Sequence, residues 1–212
     1  HSAESTAITI KPGQKWAIVA ESLAGRAELL EGLAGYQTSI YGQVEVDGHD
    51  IRRLRLDSLR AQVVLLRDVE VFAGTIAENL HIGRSEVSES DMRNSLQSIG
   101  LLDDMLNLPD GLASTVQTNG APFCSDQVVQ LMIARGLAGH PRLLIVDGLL
   151  DKLTDHTLRK VMPGLLEPGY DVTVIIGTGR QDVLAYFERQ LELSLDGTLT
   201  ISPLGSPTAQ EL

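Results

Sequence analysis

Cysteine, positive charge and long apolar runs are all scarce in this chain. Among 212 residues Cys124 is the one cysteine, so neither a disulfide framework nor a cysteine zinc site can be built, and a reducing, cytosolic location fits. Lys and Arg number 17 against 28 Asp and Glu, a net charge of −11. That balance argues against a nucleic-acid binder, which needs a basic surface against phosphates. The one basic stretch, "DIRRLRLDSLR" at 50–60, reads as a solvated turn and short helix, with a phosphate or RNA contact as the competing reading. No apolar run is long enough to span a bilayer. The polar residues 1–7 carry no signal-peptide pattern and read as a tag or disordered start.

What is present suits one domain with a substantial core: 43 % of the residues are apolar. Glycine and proline cut the chain into short elements. "AITI" and "KWAIVA" read as strands around the turn Lys11-Pro12-Gly13-Gln14. "GRAELLEGLAG" has helical spacing and ends on Gly35. "QVEVDG" is an alternating strand closed by an Asp-Gly turn, and "AQVVLLRD" is a continuous apolar strand. Residues 68–127 differ, with short helices ("TIAENL", "SESDMRNSLQSIG", "LLDDML") and a loop rich in Gly, Pro and Asn. A helix follows in "SDQVVQLMIARGLAG", with Ser125 as its expected N-cap. "RLLIVDG" and "DVTVIIGTG" are buried strands. Between them "DHTLRKVMPGLLE" is a helix expected to break near Pro163-Gly164. "QLELSLDGTLTI" closes as a hairpin around Asp196-Gly197. There is no internal repeat. The alternation predicts an α/β fold, a mostly parallel sheet covered by helices on both faces. The expected parts are a start at 1–7, a core of 8–67 and 128–202, a helical subdomain of 68–127, and a tail at 203–212.

Residues 20–27, Ala-Glu-Ser-Leu-Ala-Gly-Arg-Ala, lie where a strand turns into a helix. A phosphate loop there needs G-x-x-x-x-G-K-[ST]: glycines so that N–H groups can curl around phosphate, a lysine for the outer phosphates, a hydroxyl for magnesium. Gly25 remains, Arg26 stands for the lysine, and Ala27 lacks the hydroxyl. Taken alone this match is weak, and an ordinary strand–turn–helix is the better account.

The wider text resembles the nucleotide-binding domain of ABC transporters of the exporter type. "IKPGQKWAIV", "GQVEVDGHDI", "VFAGTIAENL", "LPDGLASTV", "QLMIARGLAGHPRLLIVD" and "VTVIIGTGR" match in order and spacing from about Ile8 to Leu199. The resemblance implies a P-loop NTPase-like core with an inserted helical subdomain. It also implies an earlier strand and an adenine-stacking aromatic, before this chain begins. Partners implied are the transmembrane domain of an exporter and a homologous nucleotide-binding domain, in a homo- or heterodimer at the cytoplasmic face of the membrane. The implied cofactors are ATP and Mg.

Against that family the chemical positions depart. The degenerate phosphate loop comprises Ser22, Gly25, Arg26, Ala27 and Glu28. Leu23 stands where the family has glycine; it is expected to resist a positive φ and to point into the phosphate space. Glu28 replaces Thr or Ser. At an effective dielectric of ~20 and ~5 Å, one carboxylate–phosphate pair costs roughly 3 kcal/mol, or about a hundredfold in affinity. Asp147 matches the magnesium-holding aspartate, with a turn-capping role as the plain alternative. Gly148 replaces the glutamate that activates water. "FCSDQ" stands for the family's Leu-Ser-Gly-Gly-Gln, making Cys124, Ser125, Asp126 and Gln127 a degenerate signature; Asp126 stabilises its helix and repels phosphate. Arg67 replaces a glutamine and Gly179 a switch histidine. "DKLT" at 151–154 replaces Ser-Ala-Leu-Asp. None of the histidines (His1, His49, His81, His140, His156) matches a family position, and each reads as a surface or turn residue.

With no metal, Asp147 is a buried lone carboxylate in search of a cation. Arg26 or Arg67 is expected to pair with it, the alternative being that both swing to solvent. The leading function is a pseudo-ATPase with no catalytic residue and no bound cofactor expected, structural or regulatory in role. A working ATP-binding transport domain with substituted motifs, and a binding module for another ligand, are the competing readings. Because the signature has gone as well as the phosphate loop, a regulatory or scaffolding role fits better than the silent half of an active heterodimer.

Overall fold

A computed structural model describes residues 7–167 and 169–204. The expectations for residues 1–6, His1 included, and for 205–212 lie outside the described residues. In chain order the elements are β1 (Lys15–Ala20), α1 (Leu23–Ala34), β2 (Glu45–Val46), β3 (His49–Asp50), α2 (Leu56–Arg60), β4 (Val63–Leu66), β5 (Gly74–Thr75), α3 (Ile76–His81), α4 (Glu89–Ser98), α5 (Leu102–Leu106), β6 (Thr115–Val116), α6 (Ser125–Ala138), β7 (Leu143–Asp147), α7 (Asp155–Leu166), β8 (Thr173–Gly177), α8 (Gln181–Leu184), β9 (Arg189–Leu193) and β10 (Leu199–Pro203).

Six strands form the main sheet in the order β10-β9-β1-β8-β7-β4. All its pairs are parallel except the β9–β10 hairpin. The central strands are buried on both faces, and their period of two splits the apolar residues between two cores. Ala17, Leu144, Val146, Val174 and Ile176 join the core built with α3, α4, α6 and α7. Trp16, Ile18, Ile145 and Ile175 join the core under α1 and α2. Parallel register aligns the carboxyl ends of β1, β8 and β7: Ile18 pairs with Gly177, and Gly177 with Asp147. The loops leaving these strands therefore open at one end of the sheet, where α/β folds place ligands.

Four sequence expectations need correction. Ala7–Ile10 is not a strand: both edges of β1 are taken by β8 and β9, and Ile8 and Ile10 only pack onto the core. The "QVEV" strand shrinks to β2, paired with β3 across a turn whose Asp47 and Gly48 both have positive φ. Pro163 does not break α7, which runs through it; the proline is on the exposed side, where a freed carbonyl faces solvent. Cys124, not Ser125, is the N-cap of α6, and Ser125 is its first residue. The amide of Cys124 donates to the Gln127 side chain at 3.1 Å.

α4 begins with a capping box between Ser88 and Asp91, and the same carboxylate meets His140 Nε2 at 2.9 Å. Hydrogen bonds from Ser88, followed by the bond from His140, hold the Asp91 pKa down at about 2. A depressed carboxylate stabilises the fold above its unfolded pKa, and that contribution is lost as pH falls from about 4 towards about 2. Titration of the Asp91 carboxyl carbon by NMR is expected to show this midpoint, and His140→Ala to move it upward by less than Ser88→Ala does.

Candidate functional site

The β1–α1 loop is the first wall. Ser22 is the N-cap of α1, and its Oγ accepts from the Gly25 amide at 3.3 Å. Its carbonyl accepts from the Arg26 amide at 3.0 Å. Two N–H groups that a phosphate loop presents to an anion are thus bonded to Ser22. Leu23 corrects the sequence expectation: it opens α1, has no positive φ, and is 73 % exposed. The helix has wound back through the loop, which removes the strain a leucine would otherwise meet there. Glu28 is exposed on α1, and its carboxylate accepts from the Tyr41 hydroxyl at 3.4 Å.

Asp147, at the end of β7, is 5 % exposed and Arg26 is 6 % exposed. Arg26 Nε donates to Asp147 Oδ1 at 2.8 Å, and Arg67 Nε donates to Oδ2 at 3.0 Å. The sequence reading expected one arginine; both arrive. Arg67 also pairs with Glu31 through Nη1 and donates to the Ala27 carbonyl at 3.0 Å through Nη2. Partial burial works against its charge, but the bonds to Glu31 and Asp147 prevail and raise its pKa. Two glycines make room. A Cβ on Gly177 would lie 2.8 Å from Asp147 Oδ1 and 3.1 Å from Arg26 Cδ. Gly148 has φ +67°, and a Cβ there would lie 3.3 Å from Arg26 Nη2.

The loops after β7 and β8 are tied together. Asp151 in "DKLT" accepts from the buried Thr178 hydroxyl and, at 3.3 Å, from the Gly179 amide. In the signature segment Asp126 accepts from Thr154 Oγ1 at 2.5 Å, and Thr154 is the N-cap of α7. Gln127 donates to Asp104 at 3.2 Å, and Cys124 is exposed. Thus Ser22, Gly25, Arg26, Ala27, Arg67, Asp147 and Gly148 gather at one end of the sheet. Cys124, Ser125, Asp126 and Gln127 stand at the start of α6 instead. Among the described residues no three His, Cys, Asp or Glu side chains are grouped to hold a metal ion. His140 faces Asp91 and His49 the Asp47 carbonyl, both away from Asp147.

Sequence reasoning missed Glu31, Gly177 and the role of Ser22. Glu31 lies one helical turn after Ala27, so the face it shares with that residue was readable. It also missed a groove of about 590 Å³ beside Arg67, walled by Glu31, Asp68 and Glu70 and by the exposed rings and side chains of Tyr36, Phe72 and Ile82.

A strand–loop–helix at the carboxyl edge of a parallel sheet, with an aspartate ending the next strand but one, defines a P-loop NTPase-like fold. The family model described as ABC transporter matches residues 4–150. Among curated proteins, the uncharacterized ABC transporter ATP-binding protein YwjA of Bacillus subtilis (strain 168) is 32 % identical over 164 residues, 76 % of this chain and 28 % of that protein. The ABC-type transporter fsqE of Aspergillus fumigatus is 28 % identical over 74 % of this chain and 13 % of its own length. A solved bacterial Atm1-family ABC exporter with ATP bound superposes with a TM-score of 0.80 at 25 % identity, over 89 % of this chain and 33 % of that one. The chain belongs to the ABC transporter family, as a nucleotide-binding domain of the exporter type. It spans under a third of the length of these relatives. No helix among the described residues is long and apolar enough to cross a membrane.

Proposed function

We propose that this domain is a degenerate nucleotide-binding domain, a pseudo-ATPase, that serves an exporter-type ABC transporter structurally or as a regulator rather than by hydrolysis. The observation that carries this reading is the state of Asp147: each of its oxygens already accepts from a guanidinium. A magnesium ion needs those oxygens, and a triphosphate needs the amides of Gly25 and Arg26 that Ser22 holds. The residues present do not fit Mg-ATP. Gly148 has no side chain to polarise water, and Gly179 none to reach a γ-phosphate, so no step of phosphoryl transfer is assigned to this chain.

In this reading residues 8–67 and 128–202 form the core and 68–127 the helical subdomain, with α6 spanning the boundary at 127. The transmembrane domain would seat in the groove of Tyr36, Phe72 and Ile82, whose lining carries Arg67 and Arg135 as well as Asp68 and Glu70. A homologous domain, identical or not, is the second partner, and the location is the cytoplasmic face of the membrane. No role with nucleic acid is assigned.

Calorimetric titration with Mg-ATP is expected to give no heat of binding in the micromolar range, and phosphate release is expected to stay at the level of the buffer. Saturable micromolar binding would instead support the second reading, an ATP-binding transport domain with substituted motifs, which the likeness to an exporter with ATP bound favours.

A further inference from the structure

We infer that Arg26 and Arg67 form a resident cation pair that fills the metal-facing carboxylate and keeps the first turn of α1 wound across the phosphate loop, so that the site is shut by its own tether. This rests on the proposed reading that Mg-ATP does not bind, and it supplies the reason.

Three independent features converge on the tether. Arg26 is the fourth residue of α1, and its amide already bonds back to Ser22. Its side chain then crosses to β7 and fixes that first turn against Asp147. Arg67, just beyond β4, closes the other side and reaches Glu31 on the same helix. One helix is therefore held to two strands through a chain of alternating charge, Glu31–Arg67–Asp147–Arg26. Gly177 and Gly148 leave room for the guanidinium that side chains there would crowd. The absence of a glutamate at 148 is thus linked to the presence of an arginine at 26: the substitutions form one unit, not a scatter of losses. A guanidinium suits the task because its planar fork satisfies a buried carboxylate at fixed geometry, which an ammonium does with less precision.

The test uses the arginine side-chain Nε–H groups as reporters by NMR. In the wild-type domain the Nε hydrogens of Arg26 and Arg67 are expected to exchange with water at least ~10-fold slower than that of Arg53, the factor that about 1.4 kcal/mol of protection gives. Arg53 is a suitable reference because it is exposed and its side chain makes no hydrogen bond among the described residues. Millimolar Mg-ATP is expected to leave both signals in place. In R26K/R67Q the amides of Gly25 and Arg26→Lys are expected to exchange faster and to shift on addition of inorganic pyrophosphate, as wild type does not. D147N leaves one acceptor oxygen for two guanidiniums, so at least one of the Arg26 and Arg67 Nε–H groups is expected to lose protection even if the double variant does not fold. Fast exchange of both wild-type Nε hydrogens would overturn the tether, as would a wild-type response to pyrophosphate at Gly25. A folded double variant blind to pyrophosphate would do the same. The two proposals fail separately: protected arginines in a domain that binds Mg-ATP would refute the functional reading alone, and unprotected arginines in a domain that binds none would refute the tether alone.

Discussion

Asp147→Ala is expected to lower the unfolding free energy by about 3 to 5 kcal/mol, the range seen when one partner of a buried ion pair is removed. The carboxylate lies between two guanidiniums, and the side chain of Arg26 is itself buried. Without it Arg26 loses its ion-pair partner in a site closed to water, and the stranded charge, more than the lost attraction, sets the size of the effect. Arg67 suffers less because Glu31 and the Ala27 carbonyl still hold it. Asp147→Asn, which keeps the shape and one acceptor, should fall between wild type and the alanine variant. Equilibrium unfolding in urea measures both. A loss below about 1 kcal/mol for the alanine variant, the scale of an exposed pair, would mean that the network is wet and weak.

Gly164→Ala is expected to be as damaging although it adds only a methyl group. On the ideal Cβ position the new atom would lie 1.6 Å from the Ser98 carbonyl oxygen and 2.3 Å from its carbon. Both are backbone atoms at the end of α4, so no side chain can swing aside. Either α7 retreats from α4, opening the core around Leu96, Val161 and Leu165, or the end of α4 unwinds. Overpacking of this kind costs about 3 kcal/mol at its upper range. For a domain of this size that is about 6 to 12 °C in Tm. Gly179→Ala is the control: its Cβ meets nothing within 4 Å, and a change within about ±0.5 kcal/mol is expected. Equal Tm values for the two alanine variants would refute the close approach of α4 and α7.

Much of the fold was legible because several elements carry their own local signal. The apolar runs of β7 and β8 read as doubly buried strands, and that is how they pack. α1 announced its end with Gly35, which takes the left-handed conformation. The failures share a cause: pattern reports which side of a segment is apolar, not whether a partner strand is available. "AITI" has the alternation of a strand, yet β1 has no free edge to offer it. Pro163 counts as a breaker only if its turn must be sealed from water, and here it is exposed. In the site, Arg26, Arg67 and Asp147 were brought together by charge once the family resemblance had placed them. The bond from the Thr178 hydroxyl to Asp151 could not be read in this way, because it joins two loops across a separation of 27 residues with no repeating spacing to betray it. Ser22 was visible as part of a loop but not as its helical cap, since that depends on where α1 begins.

The bond between Asp126 and Thr154 has a consequence for how this surface meets other molecules. The first turns of α6 and α7 converge on a single carboxylate, so the positive poles of two helices are screened from inside the chain. With Asp104 beside Gln127 and Asp155 in the first turn of α7, a face that could have drawn anions over a distance disfavours them.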